Sequence, residues 1–145
     1  MNPEDVPPGP VLLDTDVYSW LRTRRSRHEE FASLLDGHGL VLSFVTVAEA
    51  RAGAAMAGWG EQKRTDLDRH LGGFPILTPT NLVTNHWAAI YATLRDQLKG
   101  GGVNDMWVSA CAMAQDPPMA VATGNLTDFR RIADAFGLTL IHPDL

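Results

Sequence analysis

The stretch Val11-Leu12-Leu13-Asp14-Thr15-Asp16 runs three apolar residues straight into two acids, and helical spacing takes over at Val17-Tyr18-Ser19-Trp20-Leu21. A short apolar run without alternation reads as a strand buried on both faces, as in a parallel sheet under helices. In open α/β sheets, ligands gather outside the carboxyl ends of the strands. Asp14 falls at such an end, so its carboxylate is expected to face the place where chemistry is done.

Working outward, helix and strand patterns alternate along the whole chain. His28–Asp36 has Phe31, Leu34 and Leu35 at helical spacing, and Gly37 and Gly39 end it. Leu40–Phe44 reads as a second buried strand. A helix then runs from Thr46 to Met56, and another from about Gly60 to Leu71. Phe74–Thr78 is a third strand, placed at a sheet edge by Pro75. Asn81–Leu98 is a long helix with Leu82, Trp87, Ile90, Tyr91 and Leu94 expected inward. Gly100-Gly101-Gly102 breaks it, and Asn104-Asp105 opens the next helix. Met119–Thr123 is a fourth strand, Thr127-Asp128 starts a short helix, and Leu138–Ile141 is the last strand. Five strands alternating with helices imply an α/β fold, a parallel sheet covered on both faces.

The chain has 145 residues, 45% of them apolar and 20% charged, which fits one globular domain with a real core. Residues 1–10 are expected to be a flexible N-terminal arm. No apolar run approaches the ~20 residues of a membrane helix, and the acidic, proline-bearing start is not a signal peptide. One cysteine, Cys111, allows no internal disulfide and fits the cytoplasm. A net charge of −5 argues against a large nucleic-acid-binding face but leaves nucleic acid open as a substrate. Arg22, Arg24, Arg25 and Arg27 form a local basic cluster, readable as a solvated helix end or as a contact surface.

Four acids stand at the sheet's expected functional rim. Asp14 follows the first strand, Glu49 lies one turn into the helix after the second, Asp105 opens the helix before the fourth strand, and Asp128 follows that strand. Each has a structural alternative. Thr46 and Glu49 fit a capping box, and Asp105, Asp128 and Asp16 could be simple N-caps. Caps do not explain the joint pattern, because acids gathered on one rim repel unless a cation sits between them. Oxygen donors suit Mg²⁺ or Mn²⁺ rather than zinc. The histidines, His28, His38, His70, His86 and His142, show no metal-binding spacing.

Val11–Asp16, Val45-Thr46-Val47-Ala48-Glu49-Ala50-Arg51-Ala52-Gly53, Val103–Ala110 and Ala122-Thr123-Gly124-Asn125-Leu126-Thr127-Asp128-Phe129 together resemble a PIN domain, and within that superfamily the toxin ribonucleases of VapBC toxin–antitoxin pairs. The resemblance implies a single PIN domain over residues 11–145, with a five-stranded parallel sheet in the order 3-2-1-4-5. It places the catalytic acids at Asp14, Glu49, Asp105 and Asp128. Asp14 and Asp105 become direct metal ligands, with Glu49 and Asp128 completing the shell. Thr15, Asp16, Asn104, Thr123 and Asn125 become supporting residues. Asp16 stands where the family often has Asn, and Asn125 where some members have an acid.

The implied activity is a Mg²⁺- or Mn²⁺-dependent endoribonuclease, using metal-activated water on single-stranded or loop RNA. The implied partners are a small antitoxin and a second copy of the chain. In the resembling toxins the antitoxin's C-terminal segment lies in a groove beside the first helices and often sends an arginine towards the acids. Trp20, Leu21, Phe31 and Leu34, with Ala48, Ala52, Ala55 and Met56, are the apolar positions expected to form such a groove. Two alternatives weigh less. A haloacid-dehalogenase-like phosphatase shares the Asp14-Thr15-Asp16 pattern but wants Thr or Val where Tyr18 stands. A non-catalytic receiver-like module wants a lysine after its last strand, and no lysine follows Ala114.

Overall fold

The computed structural model describes residues 1–98 and 102–145. Among them, β1 (Val11–Leu13), β2 (Leu40–Ser43), β3 (Ile76–Leu77), β4 (Ala120–Ala122) and β5 (Leu140–Ile141) form one sheet in the order β3-β2-β1-β4-β5. Every pairing is parallel, with Leu12 opposite both Val41 and Val121. This is the expected order, and it differs from the 2-1-3-4-5 order of receiver-type folds. Pro75 precedes the edge strand β3 and gives its carbonyl to the Leu42 N–H.

The strands are apolar throughout because successive side chains enter opposite layers. Leu12, Val41, Val121 and Leu140 pack towards α5 (Asn81–Leu94), α6 (Gly102–Met113) and α7 (Leu126–Phe136). Val11, Leu13, Leu42, Ala122 and Ile141 pack towards α1 (Thr15–Thr23), α2 (His28–Leu35), α3 (Phe44–Met56) and α4 (Glu61–Leu71). β1, central and buried on both faces, therefore delivers Asp14 to the middle of the rim.

Within residues 1–10, Asn2–Asp5 and Pro8–Pro10 are exposed, and the segment meets the core through one buried side chain. Pro3–Asp5 forms a 3₁₀ turn closed by Asn2 N–H donating to Asp5 Oδ2 at 2.7 Å, and Val6 is buried in the same cluster as Phe31, Leu34 and Leu35. Three expectations need correction. The α5 helix stops at Leu94, where the N–H groups of Gln97 and Leu98 both turn back to the Leu94 carbonyl. Leu82 and Tyr91 are exposed at 51% and 40%. The inward stripe is Val83, Trp87, Ile90 and Leu94, spaced four, three and four, so those two residues sit one position out of phase. The glycine break at Gly100-Gly101 lies outside the described residues, and Gly102 already belongs to α6. Finally, Phe31 and Leu34 are core residues, so of the expected groove residues on α1 and α2 only Trp20 and Leu21 keep exposed surface.

Candidate active site

Asp14 leaves β1 and caps α1. One carboxylate oxygen accepts the Thr15 N–H at 2.8 Å, and the other accepts the Thr123 hydroxyl at 2.9 Å from the end of β4. Asp14 is only 7% exposed. Burial pushes its pKa from 3.8 up to about 7, and the charges of Asp16 and Asp105 push the same way against those two hydrogen bonds.

Glu49 does not close a capping box. The α3 helix begins at Phe44, after Ser43, so the fully buried Thr46 is already inside the first turn. Glu49 Oε1 instead accepts the Thr15 hydroxyl at 2.7 Å, and that hydroxyl lies 3.1 Å from the Thr46 hydroxyl. The residues after β1 and after β2 are thus joined side chain to side chain.

Asp105 and Asp128 sit in the first turns of α6 and α7 and cap neither helix. The Asn125 amide donates to Oδ2 of both, at 3.2 Å each. Burial, then the charges of Asp128, Glu49 and Asp16, raise Asp105 from 3.8 to about 7, opposed by the Asn125 bond. Asp16, expected as a possible cap of the first helix, lies inside it. Its Oδ1 accepts the N–H of Val17 at 2.7 Å and of Gly124 at 3.3 Å.

Asp14, Thr15, Asp16, Glu49, Asn104, Asp105 and Asn125 all line one open cavity of about 440 Å³. Asp128 joins it through Asn125, and Thr123 through Asp14. Three contributors escaped the sequence reading. Ser19 and Trp20 line the cavity from α1; Ser19 is four residues after Thr15, a spacing that puts both on one helix face. Gly124 is the third: a Cβ there would stand 2.4 Å from the Trp20 ring and 2.5 Å from Asp16 Oδ2.

Among the described residues, no three Asp, Glu, His or Cys side chains converge as a ready-made metal shell. Another cavity, of about 420 Å³, is lined by Pro7, Pro10, Pro117 and Pro118 near the start of β4 and carries no acid cluster. The acid cavity is the place with chemistry because its donors are all oxygens, and two are held in a charge environment that a cation would relieve. A hard ion such as Mg²⁺ takes one or two carboxylates and keeps several waters, which an open ring of acids suits better than a tight cage.

The family model described as "PIN domain" matches residues 11–135. Ribonuclease VapC1 of Haemophilus influenzae strain R2866 is 29% identical over 125 residues, spanning 85% of this chain and 92% of the relative. Among solved structures, VapBC-1 from nontypeable Haemophilus influenzae matches with a TM-score of 0.72 at 27% identity, over 93% of this chain and 98% of that one. FitAcB from Neisseria gonorrhoeae matches with a TM-score of 0.69 at 26% identity, over 92% and 97%.

Proposed function

This chain belongs to the PIN-domain family, and from that membership we propose that it is a divalent-metal-dependent endoribonuclease serving as the toxin of a type II toxin–antitoxin pair. The observation that carries the proposal is the single cavity ringed by Asp14, Asp16, Glu49 and Asp105 at the carboxyl ends of β1 and β2. A relative named as a ribonuclease and neighbours solved as VapBC complexes support it.

Asp14 and Asp105 are the direct ligands, and Glu49 and Asp128 complete the shell through waters or a second ion. A bound Mg²⁺ or Mn²⁺ supplies an activated water and charge relief on the phosphate, for in-line attack leaving 5′-phosphate and 3′-hydroxyl ends. The protein's part is orientation. Thr123 and the Thr15 N–H aim the two Asp14 oxygens, the Thr15 hydroxyl turns Glu49, and Asn125 holds Asp105 and Asp128 at a fixed separation. Asn104 and Asp16 border the cavity. The DxD phosphatase alternative gains no specific observation, since Asp16 Oδ1 is occupied by two backbone donors.

A small antitoxin is the proposed inhibitor. Ala48, Ala52, Ala55 and Met56 are exposed along α3, Met56 at 88%, beside the half-buried Trp20 and Leu21 of α1. That apolar strip supports a helical or extended partner segment. Exposed Leu82, Tyr91 and Ile76 support pairing with a second copy. The reaction belongs to the cytoplasm, where Cys111, buried and free, stays reduced; among the described residues no helix is long and apolar enough to cross a membrane. Expressed alone the chain slows growth, and co-expression with the product of the adjacent reading frame restores growth and yields a complex. A chain that is harmless alone and cuts no RNA with Mg²⁺ or Mn²⁺ contradicts the proposal.

A further inference from the structure

A second, basic cavity lies further along α1 from the acid one. Thr15, Ser19 and Arg22 are spaced four and three, so they form one stripe of the helix. Thr15 and Ser19 line the acid cavity, and Arg22 lines a neighbouring cavity of about 350 Å³ together with Trp59, Lys63 and His70. Two cations sit over one indole there. The Arg22 guanidinium carbon is 5.6 Å from the centre of the Trp59 ring, and Lys63 Nζ is 5.8 Å from it. Neither makes an ion pair among the described residues, although Asp66 lines the same cavity beside Arg69, 3.6 Å away. Arg22 Nε is buried without a hydrogen-bond partner. No acceptor among the described residues holds that Nε, so the Arg22 charge is not taken up inside the protein. Arg27, by contrast, is fully engaged with Glu30 and Asp144, which removes it from the basic cluster as a contact residue.

We infer that Arg22 and Lys63, positioned by the Trp59 ring, form a phosphate subsite for the RNA strand whose cleaved bond lies at the acids. The inference rests on the ribonuclease proposal and adds the contact that gives an acidic protein its hold on a polyanion. From Thr15 to Arg22 the helix rises about 10 Å, a step of a nucleotide or two along a single-stranded backbone. The charges are ordered for it: acids with metal at one end of α1, free cations at the other. Cation–π contact with Trp59 fixes both heads without neutralising them, so their charge stays available to a phosphate.

The test is salt-dependent binding of a fluorescein-labelled, mixed-sequence single-stranded RNA, followed by anisotropy in EDTA, which prevents metal-dependent cleavage. Each phosphate contact contributes about 0.7 to the slope of log K against log salt for single strands. Arg22→Ala and Lys63→Ala should each flatten the slope by about that amount, Arg22→Lys should retain it, and Arg95→Ala on the opposite layer should leave it unchanged. Thermal melts of each variant report the fold. In Mg²⁺, Arg22→Ala should raise KM for RNA several-fold with kcat retained. Wild type that binds and cuts RNA, with the Arg22 and Lys63 variants keeping its slope and KM, overturns the subsite while leaving the ribonuclease. Variants with unchanged RNA slope that escape inhibition by the co-expressed partner assign the surface to that protein instead, and also overturn it. Wild type that neither binds nor cuts RNA removes the ribonuclease proposal, and the subsite falls with it.

Discussion

The Thr15 hydroxyl donates to Glu49 Oε1 at 2.7 Å. This bond crosses from the helix after β1 to the helix after β2, so Glu49 is held by tertiary structure and not by the cap of its own helix. Glu49→Gln should therefore keep the fold, with a melting temperature close to wild type, and lose Mg²⁺-dependent RNA cleavage. Thr15→Val should cost about 1–3 kcal/mol in a urea melt, because it strands a partly buried carboxylate without its donor, and should lower cleavage too. A Glu49→Gln protein that unfolds yet cuts normally in its folded fraction would return Glu49 to a structural role.

The pH dependence of the metal-free protein has a definite sign. Asp14 and Asp105 are raised from 3.8 to about 7. As pH rises, the unfolded chain gives up these protons first, so stability falls between about pH 4 and pH 7. Burial lowers His142 below its usual 6.5, and its contribution runs the other way, present above 6.5 and lost on acidification. Asp14→Asn separates the two: chemical denaturation at about pH 5 and about pH 8 should show a smaller alkaline loss in the variant. Mn²⁺ should bind more tightly as pH rises through 7, since it displaces those protons. A wild-type slope identical to that of Asp14→Asn would contradict the assignment.

Asn125 bridges Asp105 and Asp128 with one amide. Asn125→Asp replaces a donor with a third negative charge. The metal-free protein should melt lower, and the gain on adding Mn²⁺ should exceed that of wild type. Binding alone stabilises by RT ln(1 + [L]/Kd), about 2.7 kcal/mol at a hundredfold excess over Kd. Differential scanning calorimetry with and without Mn²⁺ measures both shifts; an unchanged metal-free melt would mean the acids do not feel one another.

Gly124 is required by space. A Cβ would meet the Trp20 ring at 2.4 Å and Asp16 Oδ2 at 2.5 Å. Gly124→Ala should cost about 1–3 kcal/mol, displace the indole and alter tryptophan fluorescence, with cleavage reduced because Trp20 and Asp16 both line the cavity. Wild-type stability and fluorescence in this variant would show that the rim yields freely.

Much of the sheet was legible because β1, β2 and β4 are apolar runs that end in polar residues, a pattern two-sided burial imposes. Asp14, Asp105 and Asp128 could be placed for the same reason, each following a strand or lying in the first turn of a helix, whereas Glu49 lies further along α3. What stayed hidden depends on contacts between distant segments. Thr46 looked like an N-cap by local chemistry, but its complete burial draws it into a helix that starts after Ser43. Leu82 and Tyr91 were misplaced by a single helical position. Nothing local shows that the Asn125 amide spans two acids, or that Arg22 meets Trp59, because both partners come from other elements.

The most direct test is cleavage of single-stranded RNA by wild type and Asp105→Asn, each with Mg²⁺ and with EDTA, with end-group analysis of the products. Wild type with Mg²⁺ should cut and leave 5′-phosphate and 3′-hydroxyl ends, while EDTA or Asp105→Asn should abolish cutting in a protein that still melts cooperatively. Cleavage by Asp105→Asn at the wild-type rate, or by wild type in EDTA, would contradict a metal-dependent ribonuclease built on these acids.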